Sequence, residues 1–229
     1  MEITDCKTFY FRHIPKAGGS TISNSIKRYY PSEVKWYWWI FSSEEEDFAS
    51  RTHFTYEEME KYDLERLEYS TKLPSFCCVR DPVDRFISMY IYEFVQNRLR
   101  RMAIKGRVLE DLEYYLDTLH EKTFSENKYF IQTHRRHMHD MLFYRGNLIP
   151  RKIYNVTNIS IKKLVINGHD LPLENTNAGD PLTKKIIKKS LFSDERLYQK
   201  VKDYFSEDYK LLEDLKRDGL LIESDVIEI

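Results

Sequence analysis

The stretch from Phe9 to Ile22, FYFRHIPKAGGSTI, decides the fold because it joins a short apolar strand, a two-glycine turn and the start of a helix. The turn contains Lys16, and the helix opens with the hydroxyl pair Ser20-Thr21. The N-terminus of a helix presents unpaired N–H groups and partial positive charge, so it can bind an anion such as phosphate. The stretch therefore predicts a phosphate-binding loop in an α/β fold.

This loop is not the usual loop for nucleoside triphosphates, G-x-x-x-x-G-K-[ST], in which lysine follows the last glycine. Here the order is Pro15-Lys16-Ala17-Gly18-Gly19, with lysine before the glycines. An ordinary turn between a strand and a helix, with glycines at positive φ and a solvated lysine, also explains the stretch when it is taken alone. A second signal is needed to separate these two interpretations.

The second signal follows the apolar segment Leu73 to Val79, LPSFCCV, which is typical of a strand buried in a parallel sheet. Arg80 comes next, and Asp81-Pro82 predicts the start of a long helix because aspartate is a good N-cap and proline a good first residue. The carboxyl ends of parallel strands meet at one edge of a sheet, where ligands bind. We therefore expect Lys16 and Arg80 at the same edge.

The remaining pattern alternates strands with helices, which predicts a parallel α/β sheet. Thr55 to Glu58 forms a capping box that starts a short helix. Strands are expected over 34–41 and 153–157. Helices are expected over 20–30, 108–121, 125–136 and 159–166, and Asn167-Gly168 would end the last of these. Two more helices are expected after the N-terminal signatures Ser193-Asp194-Glu195 and Ser206-Glu207-Asp208.

Length and composition set broader limits. At 229 residues the chain suits a single domain spanning 1–229, and its acidic tail from about 219 is expected to fray. A net charge of −1 argues neither for nor against a polyanionic partner, and we expect no nucleic acid. Cys6, Cys77 and Cys78 are too few for a disulfide framework, so we expect buried free thiols in a reducing compartment.

The beginning of the chain, MEITDCKTFYF, has neither a basic segment nor an apolar core typical of a signal peptide. No apolar run is long enough to cross a bilayer. We therefore expect a soluble, cytoplasmic protein without a membrane span. Neither C-x-x-C nor H-E-x-x-H occurs, so no metal is expected.

Two segments together, HIPKAGGST (His13 to Thr21) and CVRDPVDRFISMY (Cys78 to Tyr90), resemble the family-2 sulfotransferases, which include the carbohydrate sulfotransferases of the Golgi. That family pairs a PK-x-GG-[ST] loop with a later R-D-P-x-x-R-[FL]-x-S-x-Y segment. Two further segments, LPLENTN (Leu171 to Asn177) and VKDYFSEDYKLL (Val201 to Leu212), extend the resemblance over nearly the whole chain. The middle, about 98–123, matches loosely, and we expect acceptor specificity there.

The resemblance implies a P-loop-like three-layer α/β fold, with a central parallel sheet flanked by helices. It also implies 3′-phosphoadenosine 5′-phosphosulfate (PAPS) as donor, adenosine 3′,5′-bisphosphate (PAP) as product, and no metal. Lys16 would neutralise charge on the leaving phosphate, while Arg80 and Ser88 would bind the 3′-phosphate. The residues that would bind the 5′-phosphosulfate are Pro15, Lys16, Ala17, Gly18, Gly19, Ser20 and Thr21.

A general base near the acceptor would help a hydroxyl to attack, and in this family a histidine shortly after the second strand often serves. His53, in RTHFTYEEM, fits that position. The alternative is a histidine that packs beside the helix starting at Thr55. His13 is expected to pack locally.

The segment Asn127 to Asp140 contains His134, His137 and His139. These histidines suggest either zinc or, with more weight, a solvated or substrate-facing basic patch, and the resemblance also places a polar residue, Gln132, near the acceptor. A basic rim for an anionic acceptor could come from Arg98, Arg100, Arg101, Lys105, Arg107, Arg135 and Arg136, although a solvated helix face explains the same charges. Lys184 and Lys185 could close over the nucleotide.

The leading hypothesis is a sulfotransferase that moves a sulfuryl group to a hydroxyl of a carbohydrate or of a glycosylated or small-molecule acceptor. One alternative is a small-molecule kinase using ATP–Mg²⁺, although its lysine position and its metal-binding carboxylate are missing from the pattern. Another is a non-catalytic nucleotide-binding domain, which an intact Lys16 and Arg80 disfavour.

Overall fold

The structure, a computed structural model, describes residues 9–29, 40–42, 48–50, 53–92, 108–119, 134–157, 161–166, 168–173 and 181–228. At its centre lies a four-stranded parallel sheet in the order β1-β4-β7-β10. Its strands are β1 (Tyr10–Arg12), β4 (Ser75–Val79), β7 (Lys152–Asn155) and β10 (Leu221–Ile222). Helices flank this sheet, so the predicted fold class is confirmed.

The central strand β4 is buried at every position, as its uninterrupted apolar sequence predicts. Cys77 and Cys78 are buried free thiols, also as predicted. Burial raises the pKa of both thiols, so both stay protonated near neutral pH. These cysteines therefore act as small core residues, and Cys6 lies outside the described residues.

The helices begin where local sequence signals place them. Asp81 accepts a hydrogen bond from the Asp84 backbone N–H at 2.9 Å, and Pro82 is the first residue of its helix. Thr55 and Glu58 form the predicted capping box. The helices are α1 (Gly19–Tyr29), α2 (Tyr56–Tyr62), α3 (Leu64–Lys72), α4 (Pro82–Tyr90), α5 (Val108–Thr118), α6 (Met138–Leu142), α7 (Pro181–Ser193), α8 (Glu195–Tyr204) and α9 (Ser206–Arg217).

The described residues form two large apolar cores and a third, small cluster of Phe54, Tyr56 and Met59. One packs the sheet against α1, α6 and α9, with Ile22, Phe76 and Leu211 among its buried members. The other packs α4 against α5, α7 and α8, around Phe86 and Phe205. Because α4 belongs to the second core and directly follows β4, it connects the sheet edge to the helical layer.

The helix expected over 159–166 is wrong. Lys163–Ile166 is a strand, β8, which pairs antiparallel with β9 (His169–Pro172). Asn-Gly between two short runs is a strong hairpin signal, and Gly168 has the positive φ, 77°, that such turns favour. The run KLVI is too short for its periodicity to separate strand from helix.

The frayed tail expected from about 219 is also wrong. Leu221–Ile222 forms β10 beside β7, and Val226–Glu228 forms β11, which pairs parallel with β8. Acidic composition suggested fraying, yet Ile227 is buried and the Tyr154 hydroxyl donates to the Glu228 carbonyl at 2.8 Å. The chain end is therefore held by tertiary pairing, and α7 is a further helix that the sequence analysis did not anticipate.

Two antiparallel hairpins complete the described elements, β2 (Ile40–Ser42) with β3 (Phe48–Ser50) and β5 (Phe143–Tyr144) with β6 (Asn147–Leu148). Most of the strand predicted over 34–41 lies outside the described residues, as does nearly all of the helix predicted over 125–136.

Candidate active site

The turn after β1 has the backbone shape of an anion cradle. Lys16 and Gly18 have positive φ angles of 63° and 81°, and a positive φ is uncommon for a residue with a side chain. Gly19 begins α1, and a Cβ atom there would lie 1.9 Å from the His13 ring. Because the first backbone N–H groups of a helix have no partner within it, those of α1 are available to an oxyanion.

The second segment begins where β4 ends, and basic side chains from it and from α7 gather around Asp84. Arg80 lies 3.7 Å from the Asp84 carboxylate, which also accepts a hydrogen bond from Lys188 at 2.8 Å. Burial and the nearby charge of Arg80 lower the pKa of Lys184. The buried Nε of Arg80 has no hydrogen-bond partner among the described residues. Three cations thus gather around Asp84, and one of them keeps an unused donor.

Arg85 joins the two segments. Its fully buried guanidinium donates from Nε to the Pro15 carbonyl at 3.1 Å and pairs with Asp208 of α9 at 3.3 Å. It also donates from Nη2 to the carbonyls of His134, at 3.2 Å, and Arg136. Arg85 thus maintains the shape of its segment, because one side chain links α4, the glycine turn, α9 and the segment before α6.

His53 lies in a cluster of three histidines beside the glycine turn. Its ring centroid is 5.0 Å from that of His13 and 4.8 Å from that of His134. His53 is only 6% exposed, and neither of its ring nitrogens has a hydrogen-bond partner within the described parts of the chain. Arg136 donates to the His53 backbone carbonyl at 3.1 Å and also pairs with Glu58. The backbone is fixed while the imidazole nitrogens remain available.

Burial keeps two of these histidines uncharged. It lowers the pKa of His13 to about 3 and that of His53 well below 6.5, and His134 and the guanidiniums of Arg66 and Arg12 act in the same direction. A neutral imidazole has a lone pair that can accept a proton. His53 therefore has the ionisation state that a general base requires.

The same pKa shifts predict how stability depends on pH. Both histidines have folded-state pKa values below the unfolded value of 6.5, so the unfolded chain binds more protons as the pH falls below 6.5. The stability present above pH 6.5 is therefore lost toward acid pH, by about 1.4 kcal/mol per pH unit for each histidine. Urea denaturation at pH 7, 6 and 5 measures this slope.

The contribution of His53 to this pH dependence of stability can be measured separately. His53→Ala should reduce the slope by about one proton, whereas His169→Ala, which removes an exposed histidine from β9, should leave it unchanged. Carboxylates titrate mostly below pH 5, so the interval from 7 to 5 isolates the histidines. A flat free energy of unfolding over that interval would contradict neutral, buried imidazoles.

The predicted donor-site residues fall at one edge of the sheet. Residues 15–18 follow β1, residues 19–21 open α1, and Arg80 follows β4, while Ser88 lies half-buried within α4. Lys184 lies close to Arg80, as its lowered pKa indicates. Residues 98–107, Gln132 and 174–177 lie outside the described residues.

Sequence reasoning missed Tyr92, whose ring centroid lies 4.1 Å from the Lys16 ammonium nitrogen. No residue spacing signals this contact, because Tyr92 lies beyond the end of α4 in a widened, π-helical turn. It also missed the pairing of Arg136 with Glu58.

The histidines considered for zinc do not converge. His134 stacks on Tyr92, His137 on Tyr204 and His139 on Phe143. Over the described ranges, the group of three potential metal ligands that comes together is instead His139, Asp140 and Glu207, with ligand atoms within 4.8 Å and all three residues exposed. Exposed acidic groups of this kind are common without a metal.

Among the described residues, no helix has both the length and the apolar character needed to cross a membrane. No curated protein and no solved structure matches the chain significantly. A family model described as "Sulfotransferase family" matches residues 2–149, which is more than half of the chain and includes both the glycine turn and the Arg80 segment. The chain therefore belongs to the family-2 sulfotransferases.

Proposed function

We propose that this sulfotransferase uses PAPS as donor and a hydroxyl of a carbohydrate, or of a glycosylated or small-molecule compound, as acceptor. The observation that carries the proposal is the link from Arg85 to the Pro15 carbonyl at 3.1 Å, which holds two anion-binding segments at one sheet edge. A donor with phosphate groups at both the 5′ and 3′ positions needs two such segments. A mononucleotide phosphate needs one.

The residues fit such a donor. The 5′-phosphosulfate would lie on the turn of residues 15–21, where Gly18 has a positive φ, Gly19 leaves room for the His13 ring, and the backbone N–H groups at the start of α1 would bind the oxygens. The 3′-phosphate would bind Arg80 and Ser88. The unpartnered Nε of Arg80 and the nearby Lys184 and Lys188 support this, because a buried donor needs an acceptor.

The bound donor supplies a sulfuryl group whose bond to the phosphate oxygen breaks as a bond from sulfur to the acceptor oxygen forms. Lys16 and the N–H groups of α1 stabilise the charge that develops on the phosphate oxygen. His53 takes the proton of the acceptor hydroxyl. Because the lysine and the helix N-terminus provide positive charge at the leaving oxygen, the proposed reaction needs no metal.

The acceptor is proposed as a hydroxyl compound because His53, held neutral by burial, suits removal of a hydroxyl proton. The carbohydrate class rests on the resemblance to carbohydrate sulfotransferases. A screen of oligosaccharide and small glycoside acceptors with PAPS carrying labelled sulfate tests this class. Incorporation into sugars supports it, and incorporation into non-carbohydrate alcohols alone contradicts it.

The donor is tested by a thermal-shift series with PAP, ATP–Mg²⁺ and AMP. At a concentration a hundredfold above its dissociation constant, a ligand stabilises the folded state by about 2.7 kcal/mol, which corresponds to a rise in Tm of roughly 5–10 °C for a chain of this size. PAP is expected to give that rise, and AMP much less because it engages one segment. A preference for ATP–Mg²⁺ would favour the kinase alternative.

Arg80→Ala is expected to weaken PAP binding by roughly 10- to 100-fold, because it removes a charged hydrogen-bond donor from the 3′-phosphate. Isothermal titration calorimetry with PAP and with AMP measures the effect. AMP lacks the 3′-phosphate, so its weaker binding should not change between the two proteins.

Arg145→Ala is a matched control, because Arg145 is an exposed arginine in the β5–β6 hairpin, paired with Glu60. Arg145 contacts Glu60 and Tyr144, and neither of these belongs to the proposed 3′-phosphate site. Equal losses of PAP affinity in both variants would indicate a general charge effect and would remove Arg80 from the 3′-phosphate site.

A further inference from the structure

Helix α4 and the turn that follows it contact the glycine turn at two points. Arg85 reaches the Pro15 carbonyl, and just beyond the end of α4 the Tyr92 ring lies over the Lys16 ammonium, with 4.1 Å between the nitrogen and the ring centroid. The same part of the chain therefore holds the backbone of the glycine turn and also contacts the charged end of its lysine.

The backbone around this contact is unusual on both sides. Lys16 has a φ of 63°, and the end of α4 widens into a π-helical turn at Ile91 and Tyr92. Such turns are rare and occur often at functional sites. Here the Tyr92 ring, within the π-helical turn, contacts the lysine.

Tyr92 also touches the histidine cluster. Its ring stacks on His134 with 5.2 Å between centroids and 29° between planes, and His134 in turn lies edge-on to His53. The ring is therefore shared between the lysine of the donor site and the neighbours of the candidate base. This arrangement fixes the Tyr92 ring from a second side.

We propose that Tyr92 is a positioning residue for Lys16, an inference that rests on the proposed donor site. A lysine side chain has four rotatable bonds, and holding its ammonium over an aromatic face restricts it by a cation–π contact. Positioning of this kind raises the rate when the charge acts mainly on the transition state, where negative charge develops on the leaving oxygen. The ring is needed for this role, and the hydroxyl is not.

The test compares Tyr92→Phe with Tyr92→Leu in the full chain, using PAPS and an acceptor from the screen. Tyr92→Leu is expected to lower kcat by roughly three- to thirtyfold, the rate equivalent of a cation–π contact, with KM for PAPS changed less than twofold. Tyr92→Phe should restore kcat to near the wild-type value. A rise in KM for PAPS without a change in kcat, or equal decreases in kcat in the two variants, overturns the proposal.

Coupling to Lys16 separates positioning from a structural role. In a Lys16→Ala background, Tyr92→Leu should cause no further loss of kcat, because the ring then has no ammonium to position. A purely structural tyrosine would give the same loss in both backgrounds, and that outcome contradicts the proposal.

An NMR measurement that needs no turnover tests the Tyr92–Lys16 contact independently of the proposed function. After reductive ¹³C-methylation of lysines, the Lys16 methyl signal, assigned by its absence in Lys16→Arg, should show an upfield ring-current shift. The shift should persist in Tyr92→Phe and disappear in Tyr92→Leu. If the shift behaves so while wild-type protein neither binds PAP nor transfers sulfate, the donor assignment fails and Tyr92 still positions Lys16. An unshifted wild-type signal refutes the contact itself.

Discussion

Replacing Arg85 by methionine is expected to lower the free energy of unfolding by about 3–5 kcal/mol, because it leaves the buried Asp208 carboxylate without its cation. Arg85 and Asp208 are both fully buried in side chain and lie 3.3 Å apart. The same change also leaves the carbonyls of Pro15, His134 and Arg136 without their donor. Urea denaturation at pH 7 measures the loss.

Arg196→Met is a suitable control, because Arg196 also pairs with a carboxylate, Glu113, but is 59% exposed. Exposed pairs typically contribute 0–1 kcal/mol, so Arg196→Met should lower the free energy of unfolding much less than Arg85→Met, which removes a buried pair and three hydrogen bonds to carbonyls. The double variant Arg85→Met, Asp208→Leu should recover part of the loss, since it removes the stranded charge as well. Equal effects of Arg85→Met and Arg196→Met would contradict a central role for Arg85.

The Arg85 variant also bears on the donor site. The Pro15 carbonyl that Arg85 holds is next to Lys16, whose positive φ requires support from its surroundings. Without the hydrogen bond from Arg85, the Pro15 carbonyl is no longer held in place, so the folded fraction of Arg85→Met should bind PAP more weakly. Stability and donor binding are thus linked through one side chain in the family motif.

The parts of this fold that follow from sequence are those fixed by local chemistry. Asp81 and Pro82 specify a helix start through their own side chains, and Thr55 with Glu58 does the same for α2. The all-apolar β4 specifies a buried strand. These signals predict that Lys16 and Arg80 lie at one edge of a parallel sheet.

The parts that sequence could not supply depend on partners distant in the chain. The strand Lys163–Ile166 exists because β9 and β11 pair with it, and β11 comes sixty residues later. The closeness of Tyr92 to Lys16 depends on the widened turn at the end of α4 and on where α4 crosses the glycine turn. The neutrality of His53 depends on burial beside His13 and His134. No pattern of residue spacing encodes these contacts directly.

His53→Ala is expected to slow sulfuryl transfer by roughly 10²- to 10⁴-fold, the usual contribution of a general base, while leaving the affinity for PAP unchanged. His53 contacts the His13 ring, which packs against Gly19, whereas the proposed donor contact of Gly19 is made by its backbone N–H and not by an imidazole. Single-turnover rates with PAPS, together with calorimetric titration of PAP, separate the two effects. His169→Ala, which removes an exposed histidine far along the chain, controls for loss of any imidazole.

The pH profile provides the sharper test of this role. Burial lowers the pKa of His53 well below 6.5, so the base stays neutral, and the rate should remain level as the pH falls from 8 through 6.5. A solvated histidine would instead lose half of its activity near pH 6.5. An acidic limb centred at 6.5, or turnover of His53→Ala equal to that of wild type, would assign the proton to another group. His134→Gln tests whether the neighbouring histidine sets the pKa of the base, because the two rings are in contact. If this variant keeps its turnover but the pH at which its rate falls is shifted, the histidine cluster, and not His53 alone, sets that pKa.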